Sequence, residues 1–244
     1  MHIITAMRFF IIGAITMTAA VPIYANKNIS PLSEGNESIS PLPEYVVYDP
    51  AKDTDAPKIL RTIAKPLSFP LTAEDKRDIS LLTAKFDGEK KCAGLAAPQI
   101  GISKPIIIFF VPDNDAELKT RRPDLTDTML KTVWINPKYE GIESFGYNED
   151  YEACFSVKDY AGPVTRYKKI HYEAYTATGQ WVNGTAEGFL ARVIQHETDH
   201  TKGILWIDKT DLSRIMLIDE YRRIKQSEQK DQQAKANKNN KEDL

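Results

Sequence analysis

With only two cysteines in 244 residues, the chain cannot be a small scaffold stapled by many disulfides. An excess of charge of one sign is also missing. The 32 Lys and Arg residues are balanced by 34 Asp and Glu, a formal charge of −2, which argues against a nucleic-acid-binding face. Lysines in the tail after Lys225 do not change this, because Glu228, Asp231, Glu242 and Asp243 dilute them. The apolar run Phe9 to Val21 falls short of the ~20 residues that a membrane-spanning helix needs. Histidine is scarce as well. Of four in the chain, two fall within one short segment.

That segment is Gln195-His196-Glu197-Thr198-Asp199-His200, which contains H-E-x-x-H. Positions i and i+4 share one face of an α-helix, so His196 and His200 can grip one metal ion. Glu197 then sits beside the ion, within reach of a water on it. The stretch Ala186 to Ile194 has the composition of a buried helix leading into the motif, and Gly203 is its stop signal. His171, in the strand-like Lys169 to Tyr175, reads as an outward strand residue, and His2 lies in the N-terminal segment.

Zinc and iron sites take at least three protein ligands, and the helix supplies two. Cys154, in Glu152-Ala153-Cys154-Phe155-Ser156, is the candidate third; a thiolate and two imidazoles leave a fourth position for water. Upstream, Cys92-Ala93-Gly94-Leu95-Ala96-Ala97-Pro98-Gln99 is a tight run of small residues ending in an amide.

Together these segments resemble the three signature motifs of the peptide deformylase family, G-x-G-L-A-A-x-Q, E-G-C-L-S and Q-H-E-x-D-H. The resemblance runs from about Pro57 to about Asp208, includes the opening Ile59 to Pro66, and is complete in the third motif. It implies an α+β fold with antiparallel strands packed around a central metal-binding helix. It implies one divalent metal ion on Cys154, His196 and His200, natively Fe2+, with Zn2+, Ni2+ or Co2+ accepted. The activity implied is removal of the formyl group from the N-terminal formylmethionine of peptides, releasing formate. Glu197 would be the general base and then the proton donor to the departing amine. The Gln99 side chain and the Phe155 backbone N–H would stabilise the oxyanion. Ala93, Gly94, Leu95, Ala153 and Val193 would contact the peptide. Glu152 and Asp199 are candidates for orienting loops or an imidazole, although Asp199 also reads as a helix-surface carboxylate.

Departures from the family pattern concentrate at the cleft. Cys92 and Ala153 stand where the family has glycine, and Phe155 where it usually has leucine. Lys158 and Ala161 replace the usual proline and arginine. These changes motivate an alternative, a degenerate relative that binds metal or peptide without turnover. A second alternative is a zinc endopeptidase with Glu220 as third ligand, which leaves Cys154 and Gln99 unexplained. Cys92 and Cys154, the only cysteines, could also pair in an oxidising compartment.

The N-terminus has the layout of a cleavable signal peptide. Arg8 precedes the apolar run and small residues end at Ala25, so export to the periplasm or medium is expected. The alternatives are a start at Met7 or Met17, which leaves the protein cytoplasmic, and an uncleaved anchor. Residues 26–45 read as a linker or arm, 46–225 as the catalytic domain and 226–244 as a polar tail. Within the domain, Thr72 and Asp75 form a capping-box pattern for a helix running to about Phe86. Pro105–Val111, Thr132–Pro137 and Lys168–Thr176 read as strands, Asp113–Asp127 as a charged loop, and Asp211–Ile224 as a helix.

Overall fold

A computed structural model describes residues 41–90 and 92–228. The signal-peptide reading, most of the arm and the end of the tail lie outside these residues. In chain order the described residues form α1 (Ala73–Gly88), β1 (Gly94–Ala96), β2 (Ile106–Val111), α2 (Ala116–Arg121), β3 (Met129–Gly141), β4 (Tyr147–Glu152), β5 (Tyr160–Tyr167), β6 (Lys169–Tyr175), β7 (Trp181–Glu187), α3 (Phe189–Thr201) and β8 (Met216–Leu217). Residues 218–228 are helical.

The strands make an antiparallel sheet of order β1-β2-β3-β6-β7 and a second of order β4-β5-β8. Strand β2 is an unbroken apolar run because both of its faces are buried. Ile107, Phe109 and Val111 pack toward Leu190, Ala191 and Ile194 of α3. Ile106 and Ile108, on the other face, pack with Leu82 and Phe86 of α1. A third cluster, built on Leu60, Val164 and Trp206, lies beside β5. The metal-motif helix is thus the inner layer, covered by sheet on one side and by β5 on the other.

Helix α1 begins as its capping box predicts, with Thr72 accepting from the Asp75 N–H and Asp75 accepting from the Thr72 N–H. Lys104 lies 2.8 Å from Asp75 and 2.7 Å from Asp78, tying the loop before β2 to this helix.

Three local expectations are corrected. Ala186 and Glu187 end strand β7 rather than open the metal helix. The helix starts after Gly188, whose φ of 67° and close approach to the Asp124 carbonyl leave no room for a Cβ. The loop at 113–127 contains α2, capped by Asp115, whose carboxylate accepts from the Leu118 N–H. Residues 211–224 are not one helix. A short 3-10 turn at Leu212–Arg214 leads into β8, which is captured by β5, and helix begins only at residue 218.

Candidate metal centre

Helix α3 ends where Gly203 takes φ 73° beyond the cap Lys202, its would-be Cβ lying 2.5 Å from the Arg61 carbonyl oxygen. The last turn before that stop carries His196 and His200 on one face. Their Nε2 atoms face each other at 3.2 Å. The loop after β4 brings in Cys154, and the sulfur and the two imidazole nitrogens all lie within 4.8 Å of one another. Glu220 is exposed on the helical residues 218–228 and is not part of this group. Both cysteines are free thiols.

The residues fit a divalent ion. Glu152 Oε2 lies 2.8 Å from His196 Nδ1, so a proton held there leaves Nε2, which faces His200, as the ligating atom. Burial, and then the neighbouring His196, push His200 toward its neutral form, the form that ligates.

Glu152 is itself held from three sides. Arg166 donates through Nε and Nη2 at 2.9 Å each, and Arg192 donates through Nη1 at 2.7 Å. Burial opposes its charge, but Arg166 outweighs that and holds the carboxyl well below the usual range. Arg166 also donates to Asp199, which accepts from the Tyr139 hydroxyl at 2.8 Å. Asp199 is therefore a buried partner of Arg166 and not a surface carboxylate; it is only 2% exposed. Arg166 and Arg192 were missed from sequence. The available signal was an arginine on the inward register of a buried strand and another inside an apolar helix.

Glu197 lies at the edge of the ligand group. A Cβ on Gly94 would stand 2.7 Å from its Cγ and Oε1, so the loop backbone presses directly on this carboxylate. Its Oε2 is buried without a hydrogen-bond partner. Burial pushes its carboxyl up to about 7. Gln99 is buried, and its Oε1 accepts from the Ala96 N–H at 2.8 Å, which fixes the amide on its own loop. Cys92 donates to the Gly94 carbonyl at 3.0 Å, and burial pushes its thiol up to about 12.

A cavity of about 790 Å³ opens over these groups. Ala93, Gly94, Gln99, Ala153, Cys154, Phe155, Val193, His196 and Glu197 all line it. Leu95 does not: its side chain turns away from Gly94's face and packs fully buried against α1. The half-exposed Phe155 ring stacks on Tyr45 at 4.6 Å and 8°. Tyr45 precedes a segment that hydrogen-bonds both loops of the site, Val46 N–H to the Gln99 carbonyl and Tyr48 N–H to that of Ser156.

A helix-borne H-E-x-x-H completed by a thiolate, with a carboxylate and an amide on one cavity, defines a metal-dependent hydrolase. The comparisons narrow this. The polypeptide deformylase family model matches residues 47–215. Peptide deformylase 2 of Rickettsia conorii is 54% identical over 187 residues, 76% of this chain and 92% of that protein. Peptide deformylase 2 of Ralstonia nicotianae is 40% identical over 149 residues, 61% and 79% of the two chains. The class I type b peptide deformylase of Acinetobacter baumannii, solved with Met-Ala-Ser bound, superposes with a TM-score of 0.58 at 29% identity, covering 70% of this chain and 99% of that one. The chain belongs to the peptide deformylase family.

Proposed function

We propose that this protein removes the formyl group from the N-terminal formylmethionine of peptides and releases formate. The convergence of Cys154, His196 and His200 within 4.8 Å, at the edge of a cavity that Glu197 and Gln99 share, carries this reading. When bound there, a divalent ion supplies Lewis acidity, making water a nucleophile near neutral pH and polarising a carbonyl. Fe2+ is the ion we assign natively, on the family resemblance; one thiolate and two imidazoles also suit Zn2+, Ni2+ or Co2+.

Glu197 takes the proton from the attacking water at its cavity-facing carboxylate. It then returns that proton to the amine as the carbon–nitrogen bond breaks, leaving formate and a peptide with a free N-terminus. The oxyanion that forms on the formyl oxygen is met by the Gln99 NH2 edge and the Phe155 backbone N–H. Because Gln99 Oε1 is already engaged by Ala96, the amide donates without first having to reorient. Ala93, Gly94, Ala153 and Val193 flank the peptide, with Leu95 supporting the loop from the core.

Among the described residues no helix is long and apolar enough to cross a membrane. With Met1 to Ala25 laid out as a signal peptide, we propose export, and formylated peptides outside the cytoplasm as substrates.

The test is formate release from formyl-Met-Ala-Ser by protein starting at residue 26, purified anaerobically. Glu197→Ala should lower turnover by ~10²–10⁴-fold with the metal retained, and Glu220→Ala should leave it intact. Equal loss in both variants would favour a peptidase-type site. A metal-loaded protein with no turnover would mean a binding protein only.

A further inference from the structure

The family match ends at Ile215, but the catalytic cavity does not. The chain beyond it turns back across the site. Met216 and Leu217 pair with Ala161 and Tyr160 of β5, and the Ile218 N–H continues the pairing to the Asp159 carbonyl at 2.8 Å. The helical residues that follow are clamped by Tyr221, which stacks on Tyr151 at 4.7 Å and 16°. Ile218, Asp219 and Arg222 are thereby set into the wall of the cavity that Glu197 and His196 also line.

We propose that this C-terminal wall is a substrate subsite for the part of the peptide downstream of formylmethionine, and that Arg222 there favours a carboxylate. This rests on the deformylase reading of the same cavity. The size supports it: about 790 Å³ is at the upper part of the range for small-ligand pockets, more room than one formylated residue fills. The charges support the preference. Lys90, Lys158 and Arg122 also line the cavity, and Arg122 is already bound by Asp124 and Asp150. Arg192 is committed to Glu152 and to the carbonyls of Val164 and Asn148. Arg222 pairs with Asp219 three residues earlier, at 2.9 Å, and both side chains are largely exposed, 61% and 79%. Such a pair is weak, so the guanidinium can exchange Asp219 for a peptide carboxylate at little cost. Asp219 is then the competitor that sets the strength of the preference.

The experiment compares the product peptides Met-Ala-Asp-amide and Met-Ala-Asn-amide by calorimetric titration of metal-loaded protein at low salt, with kcat/KM for their formylated forms alongside. Binding needs no turnover, so failure of the deformylase reading would show in the kinetic arm alone. The wild type should prefer the Asp peptide by ~2–5-fold, as expected of one exposed ion pair, and the kinetic preference should lie in KM. Arg222→Glu should bring the ratio to one or below, and Asp219→Asn should raise it. Tyr221→Ala, which loosens the wall without touching a charge, should weaken both peptides together. A ratio unchanged in Arg222→Glu and Asp219→Asn, or no binding of either peptide, overturns the proposal.

Discussion

Gly94 and Glu197 cannot both keep their places if position 94 gains a side chain. A methyl there would lie 2.7 Å from the Glu197 carboxylate oxygen, well inside contact distance. Gly94→Ala is therefore expected to fold and to bind metal at wild-type stoichiometry while losing on the order of 10²-fold in kcat, the effect of misplacing a reacting group by about 1 Å. Formate-release kinetics beside metal analysis would check this; undiminished turnover would mean the carboxylate is not used where it stands. At this scale the site was legible where chemistry needs particular residue types. Two histidines four apart, one cysteine and one glutamine announced themselves. Arg166 and Arg192 did not, because arginine is an ordinary surface residue until folding encloses it. Leu95 fell inside a recognisable motif, yet strand alternation sends its side chain to the core.

Elements decide how firmly the ligands are held. Glu152, at the end of β4, fixes the ring of His196 on α3, while Arg166 of β5 fixes Glu152. Glu152→Gln should weaken metal affinity by ~10–100-fold, the usual effect of removing an imidazole's outer partner. A chelator competition would read it, and unchanged affinity would mean that packing alone orients the ring. The N-terminus of α1 makes a separate prediction. Lys104 first, and then Thr72, hold the Asp75 carboxyl down at about 2. An unfolded aspartate titrates near ~3.9, so this pair's stabilisation is complete above that pH and is lost as pH falls through about 2. Between pH 5 and pH 2.5 the wild type should lose more unfolding free energy than Asp75→Asn, as measured with urea. Element boundaries were the least legible feature of the chain. Ala186 and Glu187 suit a strand end as well as a helix start, and the turn at Gly188 is imposed by the Asp124 carbonyl, far away in sequence. Leu212, Ile215 and Met216 have helical spacing, but pairing of Met216 with Ala161 wins over that local preference.

Across the whole molecule, three motifs from distant parts of the chain meet because α3 runs between two sheets. The fold class followed from those motifs, whereas the sheet order and the return of the C-terminus to the cavity depend on long-range pairings that no local pattern states. The central claim is that Cys154, His196 and His200 make one metal site on which deformylation depends. Its most direct test is to titrate metal-free protein anaerobically with Fe2+ or Ni2+ while following formate release from formyl-Met-Ala-Ser. The account predicts activity that rises linearly and breaks at one ion per chain, with Cys154→Ser lowering both the affinity and the plateau. Turnover without metal, or a filled site with no formate released, would contradict it.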